Sequence, residues 1–234
     1  MSMPFYVGPE QVMKDRADYA RKGIARGRSL VALGFDDGIL LCADNPSRTL
    51  HKVAEIYDRI AFAGVGKFSE FDSLRTAGVR AADMRGYAYS REDVDARFLA
   101  NAYAQLLGNV FTHEMKPMEV EILVAEVGHQ AVDDQFFRIS YDGTVVDEEG
   151  CTVLGGDSDT IGERMKAAYS PGLDLTAAMG AAVTSLAGPE RTLVATDLEV
   201  ALLARGDGRR AFRRLSDAEV APMMAATGAT GAEA

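Results

Sequence analysis

Few residues in this chain have the types and spacing that chemistry demands. Gly64-Val65-Gly66-Lys67 has the outline of a phosphate-binding loop. Such a loop cradles phosphates with backbone N–H groups and needs Gly-x-x-x-x-Gly-Lys followed by a Ser or Thr hydroxyl for the metal. Ala61 stands where the first glycine belongs, and Phe68 where the hydroxyl belongs. The stretch therefore reads as a strand-to-helix turn. Gly155-Gly156-Asp157, ahead of a helical pattern, could offer N–H groups to an anion. No Gly-x-Gly-x-x-Gly pattern surrounds it, so it too reads as a turn. His51, His113 and His129 are scattered, and none has metal-ligand spacing from another His or Cys. Neither a metal nor a cofactor is expected. Cys42 and Cys151 lie in or beside apolar runs, with no neighbouring base to make a reactive thiolate. They read as two small buried hydrophobes in a reducing compartment. Asp36-Asp37, Asp133-Asp134 and Asp147-Glu148-Glu149 fall in turns and read as solvated surface. Ser and His never share a motif such as Gly-x-Ser-x-Gly, so no nucleophilic triad can be assembled. Lys52 remains. It opens a strand after the polar loop 45–51, and by pattern alone it is a solvated lysine.

These residues hang on a regular alternation of elements. The chain is organised around a hairpin, Ser29–Gly34 and Ile39–Asp44, joined by Phe35-Asp36-Asp37-Gly38. Asp-Gly between two apolar runs is a hairpin signal because a tight turn needs positive φ at its centre. A second pair, Lys52–Ile56 and Arg59–Gly64, turns at Tyr57-Asp58. Before the first hairpin, Pro9 to Lys22 reads as a helix with Pro at its first position and Gly23 as its C-cap. Its apolar side is a narrow stripe, as expected of a helix on a surface or at a subunit contact. Helices are expected over 67–85 and 92–114, the second with two apolar stripes and so buried on more than one side. Strands follow over 120–127, 136–141, 144–146 and 152–154. Thr160-Ile161-Gly162-Glu163 has capping-box spacing for the next helix, which ends near Tyr169. A helix over 175–186, strands over 193–195, 198–203 and 211–215, and a short helix over 217–224 complete the pattern. Residues 225–234 read as a disordered tail. Hairpins alternating with helix pairs argue for an α+β sandwich and against a doubly wound parallel sheet.

Composition narrows the function. The chain has 234 residues, 47% hydrophobic and 26% charged, with net charge −10. That suits a single globular domain. It offers no excess of Lys and Arg for phosphates, so nucleic acid is not an expected partner. No apolar run of ~20 residues suggests a membrane span. Met1–Gly8 has neither the basic region nor the apolar core of a signal peptide, so the expected location is cytoplasmic.

Several segments together carry a resemblance. Pro9-Glu10-Gln11, Tyr19-Ala-Arg-Lys-Gly-Ile-Ala-Arg-Gly27 and Ser29-Leu-Val-Ala-Leu-Gly34 resemble the start of a 20S proteasome alpha subunit of the actinobacterial type. Asn45–Leu50, Lys52–Ile60, Gly66–Asp72, Arg85–Tyr89 and Ala211–Leu215 are similar to that family too. The chain departs from archaeal and eukaryotic alpha subunits. Of their longer signature before the first helix, only Gly8-Pro9-Glu10 and Tyr19-Ala-Arg21 remain.

The resemblance implies the four-layer αββα sandwich of N-terminal-nucleophile hydrolases, here with an N-terminal helix extension. It implies a flexible gate segment over 1–8 and one domain over 9–224. Catalytic beta subunits of the family begin their first strand with a processed threonine, whose own α-amine is the base. The matching position here is near Arg28, and some 27 residues precede it, so no catalytic residue is expected. Asp44 and Lys52 match the family's catalytic acid and lysine but have no nucleophile to serve. By resemblance, Lys52 and Pro9 belong to a pocket between neighbouring alpha subunits that receives the C-terminal carboxylate of a ring-shaped ATPase. Phe5, Tyr6, Val7, Gly8 and Tyr19 are the expected gate residues. The implied partners are beta subunits and other alpha subunits in a seven-membered ring. The implied function is gated degradation, including of proteins tagged with the prokaryotic ubiquitin-like protein. Two other classes stay open at this point. One is a beta-like catalytic subunit freed by cleavage at Arg28–Ser29. The other is a small-molecule enzyme built on the Gly155-Gly156 turn.

Overall fold

The computed structural model describes residues 8–206 and 208–227. Among the described residues ten strands form two five-stranded antiparallel sheets. The first has the order β10-β9-β2-β1-β8, from Phe212–Arg214, Leu198–Ala204, Gly38–Asp44, Leu30–Phe35 and Cys151–Leu154. The second runs β3-β4-β5-β6-β7, from Val53–Tyr57, Ile60–Gly66, Val120–Glu126, Gln135–Ile139 and Val145–Glu148. Three separate apolar cores define the layering. One lies between the first sheet and the helices α4 (Ser158–Ala168), α5 (Leu175–Ala187) and α6 (Asp217–Ala226). A second lies between α2 (Phe68–Ala88) and α3 (Ala96–His113) and the other sheet. The third lies between the sheets, where Leu30, Ala32, Leu41 and Ala201 face Ala61, Ala63, Leu123 and Phe136. Three interfaces make four layers, helix–sheet–sheet–helix. The inner strands β1, β2, β4, β5 and β9 are buried on both faces, β2 along its whole length, so they read as continuous apolar runs. The edge strands β7 and β10 are partly exposed.

The remaining helix, α1 (Pro9–Ala25), belongs to no outer layer. Its Ala20 and Ile24 enter the inter-sheet core and close one end of the sandwich. Gly23 is not its cap. The helix runs on to Ala25, and Gly23 is buried against the Glu119 side chain, with which a Cβ there would collide. Val12, Met13 and Tyr19 stay partly exposed, in keeping with the narrow apolar stripe.

Local differences from the sequence pattern have local causes. In the first hairpin Phe35 pairs with Gly38, and positive φ falls on Gly38 alone, at the start of the returning strand. A Cβ at Gly38 would meet the Leu203 carbonyl. α3 starts at Ala96, not near 92, because Asp95 caps it by accepting from the Phe98 N–H at 2.6 Å. Residues 91–93 form a separate single turn. α4 starts at Ser158, so Thr160 and Glu163 lie inside it and form no capping box. No strand forms over 193–195. Asp197 accepts from the Val194 N–H at 3.1 Å and closes a tight turn, leaving Leu193 buried and Val194 exposed. Of the expected tail, Ala225 and Ala226 belong to α6, and residues 228–234 lie outside the described set.

Candidate functional site

The end of β2 and the start of β3 meet where β1 begins, and one buried carboxylate fixes the meeting. Glu199 on β9 lies beside Ala43 of β2 and reaches across to the second sheet. Its Oε2 accepts the Lys52 N–H at 2.8 Å and the Asn45 Nδ2–H at 2.7 Å, and its Oε1 accepts the Val53 N–H at 3.2 Å. Arg214 and His51 contact the same carboxylate. Thus the backbone at Lys52 is held from the opposite sheet. The side chain then runs under the start of β1, where its Nζ donates to the Arg28 carbonyl at 2.5 Å and to the Asp44 carbonyl at 3.1 Å. Burial pushes the Lys52 ammonium down to about 8, against the opposing pull of Asp44 and Glu199 and with some help from Arg28. An ammonium has three N–H donors. Two are used among the described residues, which leaves the third for another acceptor.

Asp44 is 3% exposed and clamped on both oxygens. Arg28 Nη1 meets Oδ1 and Arg191 Nη2 meets Oδ2, each at 2.7 Å. An arginine side chain thus occupies the carboxylate at the place where a hydrolase of this fold would present its nucleophile. Arg28 contributes a guanidinium and a peptide nitrogen, and neither is a hydroxyl or a free α-amine. Ser29, next in the chain, is buried, and its carbonyl accepts from the Asp44 N–H at 3.0 Å. Cleavage at Arg28–Ser29 would detach Ala20 and Ile24 from the inter-sheet core. The segment before Ser29 is therefore part of the fold, which argues against the beta-like reading.

The other expected site residues are spread along α1. Pro9 is its first residue and is exposed, Gly8 precedes it half-buried, and Tyr19 is 48% exposed with Lys116 Nζ 5.5 Å from its ring centre. Phe5, Tyr6 and Val7 lie outside the described residues. A helix of 17 residues spans about 25 Å. Lys52 touches Arg28, just beyond its C-terminal end, whereas Pro9 stands at the N-terminal end. One chain does not bring Lys52 and Pro9 together.

The glycine turns and the cysteines match the sequence reading, but the acidic runs do so only in part. Asp147 and Glu148 lie in β7, and Glu148 pairs with Arg138 at 2.9 Å. Asp134, paired with Arg205 at 2.9 Å and accepting the Gly128 N–H at 2.9 Å, is no solvated residue. Lys67 stands at the N-cap position of α2 without a side-chain cap and pairs with Glu70 at 3.4 Å. Gly155 has φ +119, and its N–H donates to Glu121 Oε2 at 3.0 Å in the turn before α4. Cys42 and Cys151 are free and buried, and burial pushes the Cys42 thiol up to about 12. Among the described residues no cluster of His, Cys, Asp and Glu could hold a metal ion, and no helix is long and apolar enough to cross a membrane. The residues that sequence reasoning missed are Glu199 and Arg191. Each acts on a partner about 150 positions away, Lys52 and Asp44 respectively, and nothing in their local pattern marks them.

Comparison with known proteins bears on this arrangement. The family described as proteasome subunit matches residues 24–198. A protein named proteasome subunit alpha from Acidimicrobium ferrooxidans is 60% identical, over 94% of this chain and 95% of its own length. Proteins of the same name from Xylanimonas cellulosilytica and Sanguibacter keddieii are 59% and 58% identical, over 93% and 98% of this chain and 94% and 92% of their own lengths. Sandwich, inserted α1 and missing nucleophile agree with that likeness, and the chain belongs to the proteasome subunit family, in its non-catalytic alpha branch.

Proposed function

We propose that this chain builds the outer seven-membered rings of a proteasome core, gates entry to it, and docks a ring ATPase at Lys52. One observation carries the reading: the end of the sandwich where a catalytic relative would expose its nucleophile is closed by α1 and Arg28. Lys52 keeps an N–H free beside the buried Asp44 clamp. A C-terminal carboxylate from an ATPase tail is a fitting acceptor, and a charge-assisted contact of that kind contributes ~1.5–3 kcal/mol. Pro9 would reach this pocket from the adjacent copy, since within one chain α1 holds the two apart. Phe5, Tyr6, Val7 and Gly8 would serve as the gate, with Tyr19 on the exposed side of α1. The chain would work in the cytoplasm with beta subunits supplying the catalysis. Proteins tagged with the prokaryotic ubiquitin-like protein would be among the substrates that the ATPase delivers.

The test is peptide hydrolysis by the purified chain, alone and after assembly with a beta subunit. Cleavage only after assembly supports the reading. Turnover by the chain alone, abolished by Ser29→Ala, would overturn it.

A further inference from the structure

Beside Asp44 lies a cavity of about 530 Å3, bounded by the α1–β1 connector, the start of α4 and the loop after α5. Four arginines line it: Arg26, Arg28, Arg164 and Arg191. Arg28 and Arg191 share Asp44, one on each oxygen, so two cations meet one carboxylate there. Among the described residues Arg164 has no such partner. Its Nε is buried without a hydrogen bond, and its guanidinium lies against Gly188, where a Cβ would collide with Nη1. Gly188 has φ +63 at the end of α5, so the backbone itself makes room for this charge. Two further carboxylates, Asp157 and Glu190, line the cavity and are exposed, as are Arg26, Arg28 and Arg191, so four cations face three carboxylates across a wetted wall. No side chain caps α4, so the N–H groups of its first turn, at Thr160 on the cavity wall, carry the positive end of the helix dipole.

We infer that this cavity binds a compact oligophosphate, of the class of pyrophosphate or the phosphate tail of a nucleotide. The donors lining the cavity come from three elements: Arg164 on α4, Arg26 and Arg28 on the α1–β1 connector, and Arg191 after α5. Arg28 and Arg191 each keep N–H groups that Asp44 leaves unused. A single carboxylate presents two oxygens along one edge, and Asp44 already fills that role. An oligophosphate presents acceptors on several sides and matches guanidinium geometry at each. The cavity is of the size that small ligands occupy. Bound there, it would also hold the connector whose Arg28 carbonyl accepts from Lys52.

Isothermal titration calorimetry of pyrophosphate into the full-length chain tests the assignment. One pyrophosphate should bind per chain. Arg164→Gln and Arg26→Gln should each weaken binding roughly tenfold or more, and Arg164→Lys should restore part of the loss. Arg80→Gln, on the exposed face of α2, should change nothing. Should Arg164→Gln fail to fold, Arg26→Gln, at an exposed position, decides alone. Absence of saturable binding, or equal affinity in Arg26→Gln and Arg80→Gln, would overturn the site, because the anion would then be a general counterion.

Discussion

Truncating Ile24 separates a structural α1 from a detachable one. Ile24 is 7% exposed and packs in the inter-sheet core with Ala20 beside it. Buried Ile→Ala changes cost about 2–5 kcal/mol, from lost transfer energy and the cavity left behind. This site lies at the open end of the sandwich, where α1 can settle inward, so the lower half of that range, about 2–3 kcal/mol, applies. In a chain of this size each kcal/mol shifts Tm by about 2–4 °C. Ile24→Ala should therefore lower Tm by about 4–12 °C by differential scanning calorimetry of the unassembled chain. Met13 sits on the same helix but is 38% exposed. Met13→Ala should cost no more than about 0.5 kcal/mol, within the scatter of surface changes. The contrast between the two isolates seating from helix propensity. Equal small shifts would mean that α1 is a loose appendage and that the sandwich is complete without it. The argument against processing at Arg28–Ser29 would then fail.

Two further outcomes follow from the proposed function. Deleting Ser2–Gly8 should speed peptide hydrolysis by the assembled core, and an unchanged rate would count against a gate in this segment. Docking of the ATPase should weaken as pH rises through about 8, because burial holds the Lys52 ammonium there and the neutral amine cannot attract a carboxylate. Below that value the site is charged and docking should be level. Asp44, Glu199 and Arg28 are the charged groups facing Lys52, and surface plasmon resonance between about pH 6.5 and 9.5 spans its titration. Affinity that stays flat across the range would remove Lys52 from the contact.

Much of the architecture was legible because each element carries its own local signal. The apolar runs at 30–35, 38–44, 60–66 and 120–126 are strands buried on both faces, and runs of that kind announce themselves. The double stripe on α3 reported its burial between α2 and the sheet. Boundaries failed where one side chain outvoted the pattern. Asp95 moved the start of α3, and Asp197 turned an apolar triplet into a loop. Gly23 looked like a stop signal, but close packing on Glu119 explains it. The site was half legible. Lys52 and Asp44 stood out only through the family resemblance, since a lysine at a strand start says nothing by itself. Glu199, Arg191 and the arginine-lined cavity arise from contacts between distant strands and loops, which no periodicity encodes.

The most direct test of the central claim is the affinity of a ring ATPase for cores carrying Lys52→Ala, measured by surface plasmon resonance beside wild type. The Lys52 contact recurs in every engaged pocket, so losses multiply through avidity. Binding and ATPase-dependent degradation should collapse in Lys52→Ala, while assembly and basal peptide cleavage stay intact. Lys52→Arg, which keeps the charge and changes its shape, should retain part of the binding. Equal affinity for wild type and Lys52→Ala would contradict the account and leave Lys52 as an internal brace between β1 and β2.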